Sequence, residues 1–437
     1  MKKKVISMLL TAGMTLSLLS GCGSSAAAET APAESTSEEA PEAEETAGTA
    51  ELDETPCTIT YYTWAQSNDG AYPQNMLDAF MEKYPWITVD FQMGPSDQEE
   101  YLQAQKVKFL AGDGIDVTTL FPSSYSDYVG AGYLEEITKD AYLSAYDSSA
   151  LDAVTMDGKI YGMPYAEDAV GVIYNKTMFE ENGWEVPSDR EEWLALCDTV
   201  AAAGITPMIQ GVGDTWPLAS EAMPFMQGLY ASDPDIFTKI AAGEVKYTDQ
   251  VFVDCFKDIE AYFNSNAVSA DAAGLSYDQA ATYFATGKAA MACHGEWFMG
   301  SINAAEPEFE IGVFAVPTNK AGEKQIGAAE VGQYQAICAS SENKEAAKLL
   351  LEYMSSKEGA QYFADSMSNF TAVDGVAAAG MEDWANNLAE ETLPFYYDQM
   401  YTGASSELYK QLQLLYIGET SVEDALLSVQ TAQEKQN

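Results

Sequence analysis

The chain has 437 residues, with 68 Asp and Glu against 21 Lys and Arg and a formal net charge of −47. This excess of negative charge argues against nucleic acid and anionic lipid as partners, because both are polyanions. The only histidine is His294, so zinc sites built on several histidines are excluded, and any Ser-His-Asp site would have to use this residue. No Gly-rich phosphate loop or EF-hand spacing is present, and we expect no cofactor and no metal.

The N-terminus has the features of a secretory signal peptide. Lys2, Lys3 and Lys4 precede an apolar run, residues 5–19, that is too short for a comfortable membrane span. The junction Leu19-Ser20-Gly21-Cys22 resembles the bacterial lipobox, in which the signal is cut before a cysteine whose thiol is then acylated. We therefore expect a signal peptide at 1–21 and lipidation of Cys22. A simple signal peptide with a chance cysteine is the alternative.

Residues 22–56 are predicted to form a disordered acidic tether behind the acylated cysteine. From Gly23 to Pro56 the chain is rich in Glu, Ala, Thr, Ser and Pro and has no basic residue. Such a composition cannot bury enough apolar surface to fold. The residues from Cys57 onward are numerous enough for two ordinary domains.

Strand and helix patterns alternate through the first part of the folded region. "CTITYYTW" predicts a first strand because it is rich in β-branched and aromatic residues. The segment 74–84 has Met76, Leu77 and Phe80 on one helical face, and 87–93 alternates apolar and polar residues as a half-buried strand does. A helix at 100–112 and a strand at 115–120 follow. This alternation predicts an α/β sheet.

The same kind of alternation continues after Gly158. Ser188 with Glu191 predicts a capping box for a helix over 189–203, and Ser276 with Gln279 predicts another for the helix from Tyr277. Further strands are predicted at 169–175, 206–211, 288–293, 309–317 and 334–340, and further helices at 251–263, 344–354 and 421–433.

The cysteines beyond Cys22 show no spacing typical of zinc or redox sites. We expect most of them to be small buried apolar side chains. They are Cys57, Cys197, Cys255, Cys293 and Cys338.

Five segments resemble, in the same order, segments of one protein family. The strongest is 157–208, which contains "DGKIYGMPYAEDAVGVIYNK", then a Pro ahead of a Trp-containing helix, then "GITPM". The others are "FLAGDGIDV", "FATGKAAMACHGEW", "VFAVPTNKAG" and "SENKEAAKLLLEYMSSKEGAQ". In these segments the chain is similar to the extracellular solute-binding proteins (family 1, maltose-binding-protein-like) of bacterial carbohydrate ABC transporters.

The resemblance implies a two-lobed periplasmic-binding-protein type II fold, which is α/β, with a hinge and a ligand cleft between the lobes. Lobe 1 is expected at 57–166 plus 318–366, and lobe 2 at 167–317 plus 367–437. The family also implies a monomer without enzymatic activity, a carbohydrate ligand, and ABC transporter permease subunits as partners. With the predicted lipid at Cys22, the protein would be held on the extracytoplasmic face of the cell membrane.

A cleft for sugars needs flat rings for their apolar faces and polar side chains for their hydroxyls. The resemblance places Asp168 where the family carries a ligand-binding glutamate, and Trp297 at a stacking position. The remaining candidates that it indicates are Trp64, Gln66, Asn68, Asp69, Ser123, Glu167, Trp216 and Tyr396.

The chain also departs from the family at maltose contacts. After "GDGIDV" it has Ser123 and its neighbours in place of an aromatic residue and an Asp-Arg pair, and Gly211 and Gly213 replace a glutamate and a tyrosine. Maltose is therefore not favoured, and another oligosaccharide, a monosaccharide or a polyol stays open. Two other classes stay open as well: a secreted lipoprotein enzyme acting on polysaccharide, and a binding protein of the same fold for a non-sugar solute.

Overall fold

The computed structural model describes residues 53–435 except 65–69, 96–97, 113, 379–380 and 390. The predicted signal peptide, Cys22, and the candidates Gln66, Asn68 and Asp69 lie outside the described residues. Within the described part, every helix is too short or too polar to cross a membrane.

One large mixed sheet organises the described residues, in the order β2-β1-β3-β10-β6-β8-β7. In addition, β9 and β11 pair with β6, β12 pairs with β10, and β4 and β5 form a separate hairpin. The strands are β1 Cys57–Thr63, β2 Ile87–Met93, β3 Val117–Leu120, β4 Thr155–Met156, β5 Lys159–Ile160, β6 Met163–Asn175, β7 Thr206–Met208, β8 Ala289–Gly295, β9 Ile311–Ala315, β10 Ile326–Ile337, β11 Phe370–Thr371 and β12 Glu391–Leu393.

The two longest strands, β6 and β10, are antiparallel neighbours and connect the two ends of the sheet. The end of β10 pairs with β3 through Tyr334–Ile337, whereas the end of β6 pairs with β8 and β9. Each long strand therefore contributes one half to each end of the sheet. The backbone passes from one end to the other near Asp168 on β6 and Gly332 on β10, where the register also shifts.

Helices flank the sheet, which confirms the predicted α/β class. They are α1 Gln74–Lys83, α2 Gln98–Ala111, α3 Pro122–Gly130, α4 Ser148–Ala153, α5 Lys176–Asn182, α6 Arg190–Ala202, α7 Pro217–Glu221, α8 Met223–Ser232, α9 Ile236–Ala241, α10 Gln250–Phe263, α11 Tyr277–Ala285, α12 Phe298–Ala304, α13 Lys344–Ser355, α14 Lys357–Met367, α15 Glu382–Asn387, α16 Thr402–Tyr416 and α17 Val422–Glu434.

Helix caps show where local sequence decides a boundary. The predicted capping box of Ser276 with Gln279 is present at the start of α11. The box predicted for Ser188 with Glu191 is wrong by one residue, because Asp189 is the N-cap and accepts a bond from the Glu192 backbone N–H. The Glu192 carboxylate instead accepts from the backbone N–H and hydroxyl of Ser188. Aspartate and serine are about equally favoured as N-caps, and the negative charge of aspartate also interacts favourably with the N-terminus of the helix.

The predicted apolar faces form the core. Met76, Leu77 and Phe80 are buried on α1, and Phe80 packs against Tyr353 of α13 with ring centroids 5.8 Å apart. The described ion pairs lie at the surface, where such pairs contribute about 0–1 kcal/mol each. Stability therefore rests on apolar burial. The described cysteines are free, and all of them are buried except Cys57, which is partly exposed.

Several predicted strands have different lengths in the structure. The strand predicted at 169–175 begins at Met163, and the one predicted at 334–340 spans Ile326–Ile337. The strand predicted at 206–211 ends at Met208. The extensions contain proline, glycine and acidic residues, which interrupt the apolar pattern that marks a strand. Pairing between the two long strands determines the lengths of β6 and β10, and this pairing is a tertiary property.

Candidate ligand-binding site

Two carboxyl groups face each other at the point where the long strands connect the ends of the sheet. Asp168 on β6 is the direct partner of Glu330 on β10. Side chains at directly opposite positions of an antiparallel pair have Cβ atoms about 5 Å apart, and like charges there are destabilising. An acidic pair in this position therefore needs protons, a ligand or a cation to offset its repulsion.

Glu296 and Asp398 complete what we call the carboxyl cluster: Asp168, Glu296, Glu330 and Asp398. Glu296 follows β8 and is 0% exposed. It is fixed to β6 by two bonds with Ala169: the Ala169 N–H donates to Glu296 Oε2 at 2.8 Å, and the Glu296 N–H donates to the Ala169 carbonyl at 3.3 Å. Its carboxyl group is in hydrogen-bonding contact with that of Asp168.

Asp398 lies five residues beyond β12, and its carboxyl group is in hydrogen-bonding contact with that of Glu330. The Phe395 N–H also donates to Glu330 Oε2, at 3.2 Å. Two acid–acid pairs therefore stand side by side, contributed by four separate segments. A carboxyl–carboxyl hydrogen bond requires a proton on one partner, so each pair favours holding one.

Burial is the main cause that raises the pKa of every member of the cluster above its ordinary value. For Glu296 and Glu330 the repulsion from Asp168 and Asp398, respectively, raises the pKa further, and both pKa values stand well above the usual range. The pKa of Asp168 is raised by burial and then by the charges of Asp398 and Glu167. Burial likewise raises the pKa of the adjacent Glu167 to about 7. The cluster thus retains protons near neutral pH unless a cation replaces them.

Aromatic rings form the wall beside the cluster. Trp297 follows Glu296 directly, is partly exposed, and lies 6.1 Å from Phe395, measured between ring centroids. Phe395 in turn lies 5.3 Å from the partly exposed Tyr397. The Trp297 ring folds over Gly295, where an added Cβ would lie 2.2 Å from it. This glycine therefore permits the orientation of the indole.

His294 lies behind this wall. It is 0% exposed, and aromatic rings surround it at centroid distances of 4.6–5.6 Å. Burial lowers its pKa to about 3, so the imidazole is neutral at physiological pH. Its Nδ1 accepts a bond of 2.9 Å from the Gly295 N–H, which places the proton on Nε2. The surrounding rings are Trp216, Tyr277, Trp297 and Phe298.

The structure brings several of the sequence-predicted candidates together. Glu296 links Asp168 and Trp297, because its carboxyl group contacts that of Asp168 and Trp297 follows it directly in the chain. Trp216 and Trp297 both contact His294. Glu167 is adjacent to the cluster and partly exposed.

The other described candidates lie in different surroundings. Trp64 is partly exposed and packs edge-on against Phe121 at 5.4 Å, and Ser123 lies in the first turn of α3. Tyr396 is fully buried, and its hydroxyl donates to the carbonyl of Ala219 at 3.0 Å. Roles for these residues stay predictions.

Sequence reasoning missed Glu296, Glu330 and Asp398 as members of the site. In so acidic a chain no single carboxylate is distinctive, and these come from segments far apart in sequence. The only local signal is adjacency, because Glu296 precedes Trp297 and Asp398 follows Tyr397.

With two long strands shared between the ends of one mixed sheet, the fold is that of a two-lobed periplasmic solute-binding protein. The chain belongs to the bacterial extracellular solute-binding protein family, whose model matches residues 64–361. This confirms the family that the sequence motifs indicate.

Known proteins agree with this assignment. The multiple sugar-binding protein of Streptococcus mutans is 26% identical over 325 residues, which are 73% of this chain and 76% of that protein. Among solved structures, SBP RafE in complex with raffinose superimposes with a TM-score of 0.74 at 22% identity, covering 86% of this chain and 98% of that one. A chitin oligosaccharide binding protein gives a TM-score of 0.76 at 20% identity, over 87% and 98% of the two chains.

Proposed function

We propose that this protein is the extracytoplasmic receptor of a carbohydrate ABC transporter. The receptor captures an oligosaccharide and delivers it to the permease. The observation that carries this proposal is Trp297 beside the carboxyl cluster, at the crossing of the two long strands. A flat ring can stack on the apolar face of a sugar, while adjacent carboxylates accept bonds from its hydroxyls. Family membership and the named specificity of the Streptococcus mutans relative support it.

The proposed mechanism is closure of two lobes around the sugar. We place lobe 1 at 57–166 plus 318–366 and lobe 2 at 167–317 plus 367–437. The strand register near Asp168 supports the first crossing. The register shift at Gly332 favours moving the second boundary from 318 to that residue, because Ala328–Val331 still pair with residues 167–170 of β6. Closure of this kind places residues from both lobes on one ligand. Small-angle scattering should show a smaller radius of gyration with saturating sugar, and an unchanged profile would contradict closure.

We further propose that an acyl chain on Cys22 holds the monomeric receptor to the outer face of the membrane. The Leu-Ser-Gly-Cys junction and the acidic spacer behind it support this part of the proposal. A tether lets the binding domain range over the surface near its permease.

A thermal-shift screen of purified residues 53–437 against a library of mono- and oligosaccharides tests the sugar-binding claim. A ligand at 100 times its dissociation constant adds about 2.7 kcal/mol to the free energy of unfolding, a shift of several degrees. Failure of every glycan to raise the melting temperature would contradict the proposal. Prolonged incubation with the same glycans tests the enzyme alternative, since product beyond one equivalent would mean turnover. Peptides and metal chelates test the non-sugar alternative.

A further inference from the structure

His294 links two tryptophans that come from distant segments of the chain. Trp216 precedes α7 and Trp297 follows β8, and both indoles are partly exposed. Their ring centroids lie 5.3 Å and 5.6 Å from that of the imidazole, with interplanar angles of 87° and 85°. The two indoles, both within the described part of the chain, make no ring contact with each other. The imidazole is therefore the ring that connects them.

Two glycines let the loop that carries Trp216 pack closely against the start of α11. A Cβ at Gly211 would lie 2.7 Å from the backbone N and Cα of Tyr277. A Cβ at Gly213 would lie 2.9 Å from the carbonyl oxygen of Leu275, to which the Gly213 N–H donates at 2.8 Å. These are two of the positions at which the chain departs from the family's maltose contacts. Here the backbone around the start of α11 occupies the space that larger side chains would need.

Tyr277, which α11 contributes, joins both tryptophans. Its ring centroid lies 5.2 Å from that of Trp216, and its hydroxyl donates to the Trp297 carbonyl at 3.2 Å. The tyrosine is partly exposed, and its ring also lies 5.2 Å from that of His294. Trp216, Tyr277 and Trp297 therefore form one connected group of partly exposed aromatic residues around His294, which we call the aromatic platform.

The imidazole of His294 acts on the aromatic platform through ring contacts. It stacks on Phe298 with centroids 4.6 Å apart and an interplanar angle of 14°. Its Nδ1 accepts from the adjacent Gly295 N–H, and nothing that the structure describes accepts a hydrogen bond from Nε2. Edge-to-face contacts favour particular relative orientations of the rings that they join. The imidazole therefore orients both indoles at once.

We propose that His294 is a positioning residue, which holds Trp216 and Trp297 as two stacking positions for successive rings of one sugar. This inference rests on the proposed function and specifies which residues select sugars of two or more units over single units. One indole can stack on the apolar face of one sugar ring, and a second indole at a fixed distance can stack on the next. A fixed pair binds more tightly than a mobile pair, because less side-chain freedom is lost on binding.

The surroundings of His294 do not suit the other common roles of histidine. A general base and a metal ligand both need an imidazole nitrogen that reaches a reacting group or an ion. Here Nδ1 is bonded to the backbone, Nε2 carries the proton, and the residue is 0% exposed. Among the residues that the structure describes, no group of three or more His, Cys, Asp or Glu side chains is arranged to hold a metal ion.

Titration calorimetry with matched sugar series tests this inference. The probes are glucose, cellobiose and cellotriose; xylose, xylobiose and xylotriose; and galactose, melibiose and raffinose. If the thermal-shift screen returns another sugar, that sugar and its component single unit serve as the probes. We expect the two-unit probe of a bound series to bind about tenfold or more tightly than the single unit, because it makes a second aromatic contact. Equal affinity for one and two units would overturn the inference.

His294→Leu and His294→Phe form a matched pair of variants. Leucine keeps a buried apolar side chain but removes the flat ring, whereas phenylalanine keeps the ring. The preference for the two-unit probe should fall about tenfold or more in His294→Leu and should be largely retained in His294→Phe. A histidine that only stabilises the core would lower the melting temperature without changing this preference, and that result would overturn the inference.

Trp216→Ala provides a second variant in case His294→Leu does not fold. It removes one stacking position directly, so it should abolish the preference for two units and leave the affinity for the single unit near that of the wild type. Trp184→Ala is the control, because this tryptophan packs against Phe179 outside the aromatic platform, and it should leave the preference unchanged.

Fluorine NMR gives a readout that needs no ligand. The chain has 7 tryptophans, and labelling with fluorotryptophan gives a resonance for each. Trp216→Phe and Trp297→Phe assign two of them. His294→Leu should move both of these resonances and leave that of Trp184 in place. Binding of the two-unit probe should also move both, and a Trp216 resonance that does not move on binding would overturn the inference.

The outcomes separate this inference from the proposed function. A protein that binds sugars without preferring two units, or that keeps its preference in both His294→Leu and Trp216→Ala, would retain the receptor function and refute the role of His294. If none of the probes and no glycan of the screen binds, the proposed function itself fails.

Discussion

Asp168 and Glu330 stand directly opposite each other on antiparallel strands, at the point where both strands pass from one end of the sheet to the other. Each is in hydrogen-bonding contact with a second acid, Glu296 and Asp398 respectively. Four ionised carboxyl groups in this position would destabilise the folded state, because burial and mutual repulsion both disfavour their charged forms. Perturbed acids that gather beside partly exposed aromatic rings are a mark of a functional site.

Trp297→Ala should weaken binding of the sugar found in the screen by about 1.5–3 kcal/mol, the value for a well-packed aromatic contact. The melting temperature without sugar should stay near that of the wild type, because the indole is partly exposed. Titration calorimetry and thermal melts measure the two effects. Trp184→Ala is the matched control, since this tryptophan is also partly exposed but packs against Phe179 outside the site. Normal binding with a loss of several degrees in Trp297→Ala would show that the ring is structural.

Gly332→Ala should displace the Asp168 carboxyl group, because the new Cβ would lie 1.9 Å from Oδ2. We expect about a tenfold loss of affinity, equivalent to about 1.4 kcal/mol, with a cost of about 1–3 kcal/mol in the free energy of unfolding. Gly130→Ala is the control, since a Cβ there meets no atom within 4 Å. Full affinity in Gly332→Ala would mean that the position of Asp168 does not matter for the ligand.

Glu221 should make stability fall as pH rises. Burial raises the pKa of this 1%-exposed side chain to about 7, although bonds from Tyr262 and Gln210 partly oppose the shift. Between the unfolded pKa near ~4.3 and the folded value, the folded state holds a proton that the unfolded state has lost. The stabilisation that the protonated Glu221 provides is therefore complete below the unfolded pKa, and it is lost as the pH rises through the folded pKa of about 7.

Urea unfolding at pH 5 and pH 7 tests this linkage. Glu221→Gln should shrink the difference between the two free energies of unfolding by about 2 kcal/mol. His294 contributes with the opposite sign, because burial lowers its pKa to about 3, but it is present in both proteins and cancels in the comparison. An identical pH dependence in the variant and the wild type would refute the prediction.

Cys22→Ser should leave folding unchanged and abolish lipidation, since only a thiol can accept the acyl group. In the native host, the variant should move from the detergent phase to the aqueous phase on detergent partitioning, or keep its signal peptide. Cys57→Ser is the matched control, since it makes the same exchange at a partly exposed cysteine outside the junction. A processed, acylated Cys22→Ser variant in the detergent phase would contradict the proposed lipid anchor.

Where the sequence predicted a helix, local signals located it well, because such signals depend on nearby residues. The face of Met76, Leu77 and Phe80 and the capping box of Ser276 with Gln279 are both present. The full lengths of β6 and β10 escaped prediction, because Gly327, Glu330 and Gly332 break the strand pattern and only pairing between distant segments keeps them extended.

The site was only half predictable for a related reason. Asp168 and Trp297 were found through family motifs, whereas Glu296, Glu330 and Asp398 become partners only when the folded sheet brings four segments together. Their raised pKa values arise from that assembly. Neither the composition of the chain nor the spacing of its residues contains this information.

A crystal structure of the chain grown with its best-binding sugar tests the central claim most directly. The proposal predicts a sugar ring against the Trp297 indole, with a polar group of the sugar within about 3.2 Å of an Asp168 carboxylate oxygen. Sugar density away from both residues, in crystals of protein that binds the same sugar in solution, would contradict it.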